Sequence, residues 1–199
     1  MIRKIMSAEE LEKKEHKNKV IMSIVLGVIM LLSTAGYFVM DFSGQKLSTL
    51  SYNNIKFSQN EYGLWDFALN GVAYQTAFNP EETKNISTII TNNLNSYTNQ
   101  PLYFSGEPIE KISGSGMQEI LKNIQSIVSR SNYACLTENC SQNYAIKDCK
   151  SDNIIVFKES ENNDTSVTQQ DNCVIITYTN SEAQRVADAF VFRILGVTN

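Results

Sequence analysis

Val20 to Met40 is a run of twenty-one residues without a single charge, VIMSIVLGVIMLLSTAGYFVM. As a helix rising about 1.5 Å per residue it reaches roughly 31 Å, enough to cross the hydrocarbon core of a bilayer. It predicts a single transmembrane helix at 20–40, with the bulk of the chain on one side. Arg3, Lys4, Lys13, Lys14, Lys17 and Lys19 precede the run, while Asp41 and then Lys46 follow it. Basic residues near the ends of a span set its orientation and acidic ones count little. The segment 1–19 is therefore expected in the cytoplasm and the remainder outside, extracellular or periplasmic. Tyr37, Phe38 and Phe42 fall where the outer interface favours aromatic rings.

The apolar run is longer than the ~7–15 residues of a signal-peptide core, so it reads as an uncleaved signal-anchor. No cysteine follows it to accept a lipid, and the Gly-apolar junction and early Glu of a type IV pilin are missing. Ser7-Ala8-Glu9-Glu10 fits a capping box, and Glu9–Lys13 and Glu10–Lys14 are spaced as helical ion pairs. A helix is expected to start near Ala8 and run on into the membrane.

Residues 41–199 hold eleven Lys+Arg and seventeen Asp+Glu, a net charge of 11 − 17 = −6. Such a surface is unlike the basic face that nucleic acid requires. After a linker at 41–51, residues 52–199 suffice for one domain with a real core.

All four cysteines, Cys135, Cys140, Cys149 and Cys173, lie beyond the span. Outside the cytoplasm four thiols read as two disulfides, for which three pairings exist. Spacing favours Cys135–Cys140 closing a local loop and Cys149–Cys173 tying that loop to a strand. The rival is a four-cysteine zinc site, but C-x4-C-x8-C-x23-C lacks the short paired spacings of structural zinc, so no metal site is expected. There is no C-x-x-C to suggest redox catalysis. The sequons at Asn85, Asn139 and Asn163 include two candidate glycosylation sites, Asn163 and Asn85, while Asn139 is hindered by the neighbouring Cys140.

The domain reads as β-β-β-α-β-α-β-β-β-α, an α+β arrangement of helices packed on a mixed sheet. Strands are predicted at Ile55–Ser58, Leu64–Leu69 and Val72–Phe78, with Asn70-Gly71 as a hairpin turn and the Trp65 face inward. Asn79-Pro80-Glu81-Glu82 predicts a helix start, with Ile86, Ile89, Ile90 and Leu94 as its stripe. A strand at Pro101–Ser105 precedes a helix capped by Ser115 and running to about Ser131. Strands follow at Asn153–Lys158, Ser166–Gln169 and Cys173–Tyr178. Ser181-Glu182-Ala183-Gln184 caps the last helix, with Val186, Phe190, Ile194 and Leu195 inward and Gly196 at its end.

The single histidine, His16, precedes the span. Residues 41–199 therefore have no imidazole base, which excludes Ser–His–Asp, Cys–His and ordinary zinc-hydrolase chemistry there. Glu107 with Glu110, and Asp148 with Asp152, are the carboxylate pairs left for acid–base work or calcium, but acidic pairs in loops of an acidic protein are ordinarily solvated charge. Ile112-Ser113-Gly114-Ser115-Gly116 enters a helix as an anion loop does, yet lacks the P-loop lysine and reads as a capped turn. Trp65, Phe67 and Tyr74 read as core rather than a binding strip. No catalytic residue and no cofactor site is expected.

The carboxy-terminal pattern runs Ala134-Cys135-x4-Cys140, Asp148-Cys149, Asn153-Ile154-Ile155-Val156, Asn172-Cys173-Val174-Ile175-Ile176, Ala187-Asp188 and Arg193-Ile194-Leu195-Gly196. With one amino-terminal span, it resembles small, uncharacterised membrane-anchored archaeal proteins over about the last seventy residues. The resemblance implies an archaeal cell surface and carries no activity.

The expected function is that of a non-enzymatic, membrane-anchored accessory subunit whose partner is another cell-envelope or membrane protein. The alternatives are a histidine-free carbohydrate-active enzyme using Glu107 or Asp148, and a ligand-binding sensor that signals through a partner.

Overall fold

The computed structural model describes residues 16–30, 48–138, 140 and 143–198. The chain divides into two units, Met1–Lys46 and Leu47–Asn199. In the first, residues 16–30 form helix α1, whose side chains are exposed throughout, Ile21, Ile24, Leu26 and Met30 among them. No helix among the described residues is long and apolar enough to cross a membrane. Helix α1 takes in residues 20–30 of the expected span; residues 31–40, like the capping box at Ser7, lie outside the described residues.

The second unit is a mixed α+β fold. Strands β1 (Thr49–Tyr52), β2 (Ile55–Gln59), β3 (Trp65–Leu69) and β4 (Val72–Thr76) form an antiparallel meander in sequence order. Asn70 and Gly71 join β3 to β4 with φ of 52° and 80°, the left-handed pair that a two-residue hairpin needs. Asn53 and Asn54, at 47° and 63°, make the same turn between β1 and β2. The expected linker is thus shorter than 41–51, because Thr49, Leu50 and Ser51 already pair with β2.

The larger sheet has seven strands in the order β5-β10-β11-β9-β6-β7-β8. These are β5 (Ser87–Ile89), β6 (Pro101–Glu107), β7 (Arg130–Cys135), β8 (Ala145–Ile146), β9 (Asn153–Glu159), β10 (Ser166–Gln170) and β11 (Cys173–Tyr178). Strands β11, β9, β6, β7 and β8 run parallel, with β10 antiparallel to β11 and β5 parallel to β10.

Three expectations need correction here. Asn79 does cap a helix with a full capping box, but α2 (Pro80–Thr83) is a single turn. Ser87–Ile89 leaves it to pair with β10, because a β-branched run gains more from a sheet edge than from a helix. Only Leu94–Tyr97 coils again, as the short helix α3. The next helix, α4 (Gly114–Ile124), is capped by Ser113, whose hydroxyl accepts the Gly116 N–H at 3.2 Å, so Ser115 lies inside it. It ends at Ile124 rather than near Ser131, and Arg130–Cys135 becomes β7 beside β6. The final helix, α5 (Ala183–Ile194), starts from Glu182 without a side-chain cap, so Ser181 does not serve as one.

Helix α5 lies against both sheets. Phe192 meets Phe57 and Phe67 of the meander at ring distances of 6.0 and 5.8 Å, while Phe190 faces Tyr97 at 6.1 Å. The same helix packs on α4, β5, β10 and β11. Its end is closed by a Schellman motif: Gly196, at φ 72°, donates to Arg193 O, and Val197 donates to Phe192 O at 2.9 Å. The outer edge of β4 is taken by α4, since Asn123 accepts the Gln75 N–H and returns a bond to the Gln75 carbonyl. A side-chain amide there stands in for a neighbouring strand and shields the edge.

Candidate functional site

The opposite face of the seven-stranded sheet carries a second, smaller core of Tyr103, Ala134, Ile154, Val156 and Cys173. Strand alternation puts it there: Ile154 and Val156 face one way, Ile155 and Phe157 the other. Among the described residues no helix contributes to this core. Leu136 and Cys149 pack on it instead, from the segment that the disulfides secure.

Cys135 is bonded to Cys140 and Cys149 to Cys173, the pairing that spacing favours. All four sulfurs are consumed, so none is available as a thiolate ligand. Cys173 opens β11, hence the second bridge fixes the covering segment directly to the sheet.

Three further residues brace the same face around Tyr103. The Arg130 guanidinium donates to the Tyr103 hydroxyl at 3.1 Å. The Lys147 ammonium stands 4.5 Å from the centre of the Tyr103 ring and bonds Asp152 at 3.0 Å. Burial raises the pKa of the Tyr103 phenol, but hydrogen bonds from Arg130 and Lys147, with their charges, outweigh it and leave the phenol below its ordinary value. Tyr97, by contrast, is pushed up to about 12, mainly by burial. Ultraviolet titration should therefore show a phenol ionising below the ordinary tyrosine value, and Tyr103→Phe should delete that phase. An unchanged titration in the variant would place the lowered phenol elsewhere.

An aromatic pair stands in solvent at the same edge, on the other face of the sheet, since Tyr133 is in register with Phe104. Tyr133 of β7 stacks on Tyr144 with ring centres 5.4 Å apart, and the two are 40% and 39% exposed. Ile146 of β8, at the edge of the sheet, is 56% exposed. Large apolar side chains so grouped at a stapled edge have the composition of an interface core.

A cleft of about 420 Å³ opens where β6 and β7 end. It is lined by Ser105 to Glu110 on one side and by Cys135, Leu136, Thr137 and Cys140 on the other. The topology switches between β6 and β9, whereas this cleft lies on the other side of β6, beyond the carboxyl ends of β6 and β7. Glu107 and Glu110 both reach this cleft, and Glu107 is 3.5 Å from Lys158.

The other acidic pair has local work. Asp148 accepts the Lys150 N–H at 3.2 Å and Asp152 holds Lys147, so both serve the turn that carries Cys149. Trp65, Phe67 and Tyr74 are buried in the main core. Asn85 and Asn163 are exposed, the latter at φ 60°, whereas Asn139 lies outside the described residues. Among the described residues no group of three or more His, Cys, Asp or Glu side chains is placed to hold a metal ion.

Sequence reasoning missed Tyr103, Arg130, Tyr133, Tyr144 and Lys147 as a group. They come from β6, β7 and the disulfide segment, and without the pairing of β7 with β6 nothing in the sequence joins them. Comparison with protein-family models, curated proteins and solved structures gives no match.

Proposed function

We propose that this chain is a membrane-anchored, extracytoplasmic, non-enzymatic subunit that binds another envelope or membrane protein through the edge carrying Tyr133, Tyr144 and Ile146. The observation that carries it is the exposed, stacked tyrosine pair beside Ile146 at a sheet edge, where the Cys135–Cys140 bridge closes the end of β7. Ordering such a surface in advance lowers the entropy lost when a partner docks. The disulfides fit an oxidising compartment. Helix α1, apolar on all sides over residues 20–30, fits the start of an anchor.

Anchoring and sidedness are tested together in the native cell. The full-length chain should stay with the membranes through an alkaline wash, and protease added to intact cells should cut within 47–199. Release by the wash, or protection of the domain until cells are broken, would overturn this part of the reading.

The enzyme alternative rests on Glu107 and Glu110 in the cleft beyond β6. It requires a turnover, on a carbohydrate substrate, that Glu107→Gln or Glu110→Gln abolishes in a folded domain.

A further inference from the structure

Two carboxyl groups meet in the interior where α4, α5 and the end of β4 converge, away from the surface just described. Asp188 of α5 is fully buried and Glu119 of α4 is 3% exposed. Asp188 Oδ2 accepts the Phe78 N–H at 2.8 Å, and Glu119 Oε1 accepts the Ala77 N–H at 3.2 Å. With Asn123 on the Gln75 N–H, three backbone donors along one short stretch are held by side chains of two helices. The other Asp188 oxygen, Oδ1, is buried with no donor from the backbone or a basic side chain. The two buried carboxyls thus hold the consecutive N–H groups of Ala77 and Phe78.

We propose that Asp188 and Glu119 share one proton and act as a pH-dependent latch, pinning the β4–α2 corner to the helical layer while that proton is present and freeing it when it is lost.

The charges around the pair leave room for one carboxylate and one acid. Lys122 meets Glu119 Oε1 at 2.6 Å and is the cation acting on the pair. On α5, Arg185 is engaged with Glu182 and with the Glu82 carbonyl. On α2, Glu82 accepts the Asn79 N–H and Glu81 pairs with Lys84. From β11, Tyr178 donates to the Lys111 carbonyl, while β5 and β10 carry no ionisable side chain. The stretch Thr76–Pro80 brings only backbone groups and the Thr76 and Asn79 side chains. Among the described residues, a second negative charge in this place would face Glu119 with Lys122 alone to offset both. Burial first, then the charge and hydrogen bond of Glu119, hold the Asp188 carboxyl well above the ordinary carboxylate range.

The sign follows from linkage. A carboxyl whose pKa is higher folded than unfolded binds more protons in the folded state. Its contribution is complete below the ordinary carboxylate pKa and is lost as pH rises through the folded value.

The test is hydrogen exchange at residues 75–79 of the full-length protein, corrected for intrinsic rates, from acid to alkaline pH. Protection at this corner should fall by at least about tenfold as pH rises, while the rest of the seven-stranded sheet keeps its protection. Asp188→Asn keeps an acceptor for Phe78 and gives Glu119 a permanent donor, so its profile should be flat. Glu119→Gln supplies the amide from the other side and should behave alike, which keeps the test open if one variant fails to fold. A flat wild-type profile, or an unchanged slope in a folded variant of either kind, would overturn the latch.

Discussion

A chain ending at Ser181 should lose its cooperative thermal transition altogether. Helix α5 comes last in the sequence, yet it is the element against which both sheets pack. Val186, Phe190, Val191, Phe192 and Ile194 are buried almost completely, and Val197 beyond the helix is too. At about 1.5–3 kcal/mol for each large apolar side chain, those five account for roughly 8–15 kcal/mol. That matches the whole net stability of an ordinary domain, about 5–15 kcal/mol. Near-ultraviolet circular dichroism on heating decides the matter. A truncated chain with a sharp transition and native aromatic signals would show that the sheets stand without α5.

Removing the Cys149–Cys173 bridge should cost more than removing Cys135–Cys140. The first joins residues 24 apart and the second residues 5 apart, so the first restricts the unfolded chain far more. It also secures the segment covering Tyr103, Ile154 and Val156, where a helix would otherwise be needed. A Cys149→Ala, Cys173→Ala variant is expected to lose about 2–4 kcal/mol. The loss should appear as a lower urea midpoint in non-reducing buffer, with the short-bridge double variant falling less. Equal losses, or a larger one for the short bridge, would mean that neither loop length nor this small core governs the effect.

Signals confined to a few neighbouring residues were legible in the sequence. Asn70-Gly71 fixed its hairpin through backbone sterics alone, and Gly196 closed the last helix for the same reason. The inward residues Val186, Phe190 and Ile194 of α5, with Leu195 at its C-cap, were legible because helical spacing holds along twelve residues. The segment after Asn79 misled because Ile86, Ile89 and Ile90 satisfy a helical stripe. Its partner, β10, lies about 80 residues further on and leaves no local trace. Strand β7 was hidden by polar Arg130, Ser131 and Asn132, which pair with β6 without apolar alternation.

The candidate surface was less legible than the fold. Its four cysteines announced themselves, and their spacing pointed to the pairing found. Tyr103 read as an ordinary apolar strand residue, and only the fold brings Arg130, Lys147 and Asp152 to it. The Asp188–Glu119 pair was equally invisible, because a lone Asp in a helix reads as solvated until the surrounding burial is known.

The proposed role of Tyr133, Tyr144 and Ile146 is to dock a second envelope or membrane protein. It is tested most directly by purifying the crosslinked full-length chain from its native membrane, beside a Tyr133→Ser, Tyr144→Ser variant that still melts cooperatively. Docking at this edge should give one membrane or envelope protein at fixed stoichiometry with the wild type and its loss with the variant. A solitary wild-type chain, or a partner retained by the variant, would contradict it.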